Sequence, residues 1–95
     1  MTFQSVGLAQ DARLVKAYLQ KHGWTQGRSI DREGRVCLSG AAERALGCAY
    51  GKWLNFLWCC DRHVGEVTEA WNDMKGRTVE DIYALLDQVA EEAER

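Results

Sequence analysis

The chain has 95 residues, 46% hydrophobic and 27% charged, with a formal charge of -2 and a pI near 5.6. That composition fits one folded domain spanning residues 1–95 rather than a disordered chain, and the slight acidity gives no positive field for phosphate-driven binding to nucleic acid. No apolar run reaches the roughly 18 residues of a membrane span, and the N-terminus lacks the basic start and apolar stretch of a signal peptide, so no membrane partner and a cytoplasmic setting are expected. In such a reducing compartment Cys37, Cys48, Cys59 and Cys60 are expected as small buried hydrophobes and not as bridges.

The first predicted element is a helix over residues 8–22. Leu8, Ala12, Val15 and Leu19 share one face, and His22-Gly23 supplies its stop. From Trp24 to Leu38 the helical period disappears. Asp31-Arg32-Glu33-Gly34 fits a type I turn, and Val36 and Leu38 share one face of a short segment, which together predict a small β-hairpin leaning on helices. Ser39 is placed as the cap of a short second helix through Ala41, Ala42, Ala45 and Leu46, with Gly47 as its stop. The segment from Tyr50 to Asp61 is apolar around most of its circumference, which suits either a central core helix or half of an interface. Val64, Val67 and Trp71 continue a helical period. Thr78 and Asp81 form a capping-box pattern that starts a last helix, whose apolar stripe runs from Val79 to Ala93. The expected fold is α+β but mainly α, with four or five helices and one small hairpin.

Three segments stand out by residue order: Gly23-Trp24-Thr25-Gln26-Gly27, Gly34-Arg35-Val36-Cys37-Leu38-Ser39-Gly40-Ala41, and Trp71-Asn72-Asp73 followed by Gly76-Arg77-Thr78. In these motifs the chain resembles an uncharacterised domain family of actinobacteria and their phages, over about residues 8 to 41 and 64 to 93. The resemblance implies a mixed helical fold and a host or phage setting, and it supplies no catalytic residues. The tryptophan- and cysteine-rich segment 48 to 63 departs from the alanine- and leucine-rich helix of that family. Lys75 stands where its members often carry proline.

Four constellations bear on function. Tyr50, Trp53, Phe56, Leu57 and Trp58 are candidate partner-binding residues, because aromatic side chains are enriched at the buried anchors of interfaces. The polar motif Trp24, Gln26, Trp71, Asn72, Asp73 and Arg77 reads as turn and cap chemistry, with Arg77 pairing Asp73, or alternatively as a polar pocket. Cys37 near a helix start, with His22 or His63 as base and Asp73 or Asn72 to orient it, is the catalytic alternative of a small cysteine-dependent hydrolase. Its competing reading is a packed thiol with His22 as a helix cap and His63 in solvent. Cys59, Cys60 and His63, with Cys48 or Cys37, lack paired zinc-ligand spacing, so neither a metal nor another cofactor is expected. The function expected is a small protein-binding module, accessory or regulatory in role, acting on a protein partner or through self-association and not on nucleic acid.

Overall fold

The computed structural model describes residues 7–47 and 51–95. Tyr50 and Cys48, each named above, lie outside the described residues. Five helices follow one another: α1 (Leu8–His22), α2 (Leu38–Leu46), α3 (Lys52–Val64), α4 (Thr68–Asn72) and α5 (Val79–Ala93).

Helices α1 and α5 make the most extensive contact in the fold. Their apolar stripes meet through Ala12, Val15 and Leu19 on one side and Ile82, Leu85, Leu86, Val89 and Ala90 on the other, all buried. Arg13 pairs with Glu94 at 2.7 Å and Lys16 with Asp87 at 2.8 Å, a register that runs the two helices antiparallel. These pairs lie at the surface, so apolar burial and not charge holds the helices together. Near the N-terminus of α1, Asp11 is buried and meets Lys52 of α3 at 3.4 Å.

Helix α2 fills the space between α1 and α3 with small residues. Its N-cap is Cys37, whose Sγ accepts the Gly40 amide at 3.3 Å, so Ser39 lies inside the helix and is not the expected cap. Capping preferences favour a hydroxyl, but extended backbone at Cys37 lets its thiol take that amide one turn further on. Gly40 faces the backbone of the preceding loop: a Cβ added there would stand 2.2 Å from the Ser29 carbonyl oxygen.

The β-hairpin expected over Trp24 to Leu38 does not form as paired strands, so the fold is mainly helical. Val36, fully buried, instead makes two isolated bridges, one parallel with Trp24 and one antiparallel with Ile30. Thr25 N donates to Val36 O and Val36 N to Gly23 O, each at 2.9 Å. The Asp31–Gly34 turn is present, with Gly34 at φ 84° and its amide on Asp31 O at 3.1 Å. Side chains compete for this segment's backbone: Asp31 Oδ1 accepts the amides of Glu33 at 3.0 Å and Arg35 at 2.9 Å, which leaves few groups for a ladder.

Helix α3 buries Phe56, Cys59 and Cys60. The helical period anticipated through Val64, Val67 and Trp71 is broken at Gly65, which adopts φ 78° and donates its amide to Asp61 O. A left-handed residue ends the helix here. The chain then restarts as α4, with Val67 turned outward at its N-cap. At the entry to α5, Thr78 and Asp81 complete the capping box in both directions.

Gly40→Ala tests the α2 approach. Alanine gains about 1 kcal/mol in helix propensity, but the atom it meets is backbone and cannot swing aside, which costs about 2–3 kcal/mol. A net loss of at least about 1 kcal/mol in urea denaturation is expected.

Candidate functional site

Two places collect the residues of interest: a polar joint between the loop after α1 and the turn after α4, and an apolar groove along α3 and α4.

The joint is built around Asn72, the last residue of α4, whose side chain is fully buried. Its Oδ1 accepts the Trp24 indole N–H at 2.7 Å and the Leu38 amide at 3.0 Å. Its Nδ2 donates to Thr25 O at 3.3 Å and to Asp73 Oδ1 at 2.9 Å. An amide side chain has two donors and two acceptor lone pairs, and here all are used. Gln26 Nε2 donates to the backbone oxygens of Asn72 at 2.9 Å and Met74 at 3.0 Å, and Gly27 N donates to Asp73 Oδ1 at 2.9 Å. The Gly23-Trp24 and Trp71-Asn72-Asp73 motifs, distant in sequence, are thus one structure.

Arg77 does not pair with Asp73, as the sequence suggested. Asp73 is occupied by Gly27 and Asn72, while Arg77 Nε donates to Trp71 O at 3.0 Å and its guanidinium lies 3.9 Å from the Trp71 ring centroid. This cation–π contact closes the turn onto α5. Among the described residues no buried side-chain nitrogen or oxygen lacks a hydrogen-bond partner. The joint therefore has no buried polar group left over to receive a ligand.

The cysteines and histidines are not brought together. Cys37 is 3% exposed, accepts Gly40 N and lies 3.2 Å from the Ser39 hydroxyl. His22 stacks on Tyr18 at 4.1 Å in the last turn of α1, and His63 is exposed in the last turn of α3. Among the described residues no hydrogen bond links Cys37 to His22 or His63, or Asp73 to His63. Burial raises the pKa of Cys59, against a smaller lowering by Arg62. Burial, with Cys59 and Asp61 adding to it, raises that of Cys60 well beyond the usual thiol range. Both are thus held as thiols. No group of three His, Cys, Asp or Glu side chains among the described residues is arranged to hold a metal ion.

The groove has a volume of about 270 Å³ and is walled by Leu54, Leu57, Trp58 and Val67, with Asp61, Thr68, Glu69 and Ser39 completing its lining. Asp61 fixes the angle between its two helices. Its Oδ1 accepts both the Thr68 amide, at 2.7 Å, and the Thr68 hydroxyl, which ties α3 to the start of α4. Leu54, Trp58 and Val67 are 57%, 49% and 64% exposed, and Arg62 stacks over the Trp58 ring at 5.0 Å.

Of the aromatic residues singled out from sequence, Phe56 is fully buried and is core, not surface. Trp53 is half-buried and packs against the core, as does Leu57 of the same set, and among its described residues Trp58 is the one that stands out into solvent. Leu54, Val67, Asp61 and Thr68 were missed as site residues. The Leu54–Trp58 spacing of one helical turn was the available signal, since it defines a third face distinct from that of Phe56 and Cys60. No helix of the described residues is long and apolar enough to cross a membrane.

Asn72→Ala is expected to cost about 3 kcal/mol, because it leaves two donors, the Leu38 amide and the Trp24 indole, without their acceptor. Trp24→Phe, which removes only one of these bonds, should cost about 1 kcal/mol. Chemical denaturation of both variants checks the ranking.

Comparison with curated proteins finds no match, and neither does comparison with solved structures. Matched to the family's sequence model over residues 5–92, the chain belongs to DUF6197, a family of unknown function.

Proposed function

We propose that this protein is a small cytoplasmic protein-binding module, an accessory or regulatory factor of an actinobacterium or one of its phages, and that its binding surface is the α3–α4 groove. The observation that carries the reading is the exposure of Leu54, Trp58 and Val67 around one concave site. Large apolar side chains gathered at a depression mark interaction sites more often than chance surface exposure does, and tryptophan is a frequent energetic anchor. The competing site, the polar joint, supports architecture instead, since its hydrogen-bonding groups serve one another. Cys37, Cys59 and Cys60 are buried as small hydrophobes, the role expected of cysteine in a reducing compartment. The actinobacterial or phage setting rests on the motif resemblance alone.

Leu54 and Trp58 are exposed, so replacing them leaves the core intact. Affinity capture from a host lysate with wild type and with a Leu54→Ser, Trp58→Ala variant tests the surface. Loss of two anchors should weaken a specific partner about thirtyfold or more. If the wild type retains nothing that the variant loses, the groove is not the binding surface.

A further inference from the structure

The groove has acidic residues beside its apolar walls. Glu69 lines it and Glu66 precedes Val67. Both are exposed, and neither forms an ion pair among the described residues. Arg62 covers the Trp58 side, so a complementary partner brings an apolar side chain with cations towards the Val67 side, where Glu66 and Glu69 stand.

The loop between α1 and α2 has that character. Ile30 is 42% exposed, and the arginines on either side of it in sequence, Arg28 and Arg32, are exposed and unpaired among the described residues. The loop's acids are committed elsewhere: Asp31 holds the Arg35 guanidinium at 2.6 Å, and Glu33 lies 3.5 Å from the same group. Its shape is also fixed in advance. Asp31 accepts two amides within the turn, Cys37 N donates to Ser29 O at 3.2 Å, and Ile30 is bridged to Val36. A loop already ordered loses little entropy on docking.

We propose that the groove receives the Arg28–Arg32 loop of a second copy of this chain, with Ile30 seated against Leu54, Trp58 and Val67 and the two arginines facing Glu66 and Glu69. The inference rests on the groove's being a protein-binding surface. Because loop and groove are different patches, copies join either reciprocally, loop to groove twice in a two-fold dimer, or head to tail as a ring or an open chain. Attraction between exposed charges is screened by salt, so association weakens as ionic strength rises.

Sedimentation velocity on the full chain provides the test, with circular dichroism confirming that each variant is folded. Wild type is expected to show a weight-average mass that climbs with concentration towards at least twice the monomer value, and that falls with added salt. An Arg28→Glu, Arg32→Glu variant and a Glu66→Lys, Glu69→Lys variant should each associate about tenfold more weakly, since each sets like charges against each other. Mixing the two variants restores association, because each then meets the opposite charge. A wild type that stays monomeric at every concentration overturns the proposal, as does association indifferent to the charge reversals or not restored by mixing. A monomeric wild type that still loses a foreign partner on Leu54→Ser, Trp58→Ala substitution overturns the loop as occupant and leaves the groove as a binding surface.

Discussion

The arrangement depends on one buried amide. Asn72 accepts from Trp24 and Leu38 and donates to Thr25 and Asp73, joining the loop after α1, the start of α2 and the turn after α4. Segments with so little regular pairing expose many backbone groups, and a buried group left unpaired costs more than a made bond returns. An asparagine can both give and take at one point. Aspartate would lose the donors, and a hydrophobic residue would orphan the Leu38 amide and the Trp24 indole. The cation–π closure of Arg77 on Trp71 and the Thr78–Asp81 capping box then carry the geometry of this joint into α5.

The groove is a consequence of how α3 ends. Phe56 and Cys60 occupy the face that meets the core, and Gly65 stops the helix before Val67 can join them. Asp61 reaches across the break to hold Thr68, so the two helices meet at a fixed angle with Leu54, Trp58 and Val67 on the outside. A polar bond in the floor thus keeps apolar walls apart. The joint and the groove divide the work, one securing the fold and the other offering the surface proposed for binding.

Long periodic segments were legible in the sequence because their burial repeats with the helix. The stripe of Ala12, Val15 and Leu19, the stop at Gly23 and the Thr78–Asp81 cap follow from local rules that no distant contact overrides. The Trp24–Leu38 segment was not legible as it stands. Its backbone is settled by Asn72, Asp73 and Asp31 through side-chain bonds, two of them from residues more than forty positions away. Cys37 is not legible as a cap because thiols are poor competitors with hydroxyls in general, and Ser39 lies two residues on. The faces of α3 were ambiguous for a different reason. An all-round apolar helix does not say which side meets the core until its neighbours are in place, so Phe56 and Trp58 looked alike in sequence and have opposite surroundings in the fold.

Native-state hydrogen exchange addresses the central role of Asn72 most directly. If the joint is integral to the cooperative fold, the Leu38 amide and the Trp24 indole N–H exchange only by global unfolding, with the same opening free energy as amides of Val15, Leu19 and Leu86 in α1 and α5. Exchange of those two protons by local opening, while the α1 and α5 amides stay protected, would show that the fold does not depend on the joint.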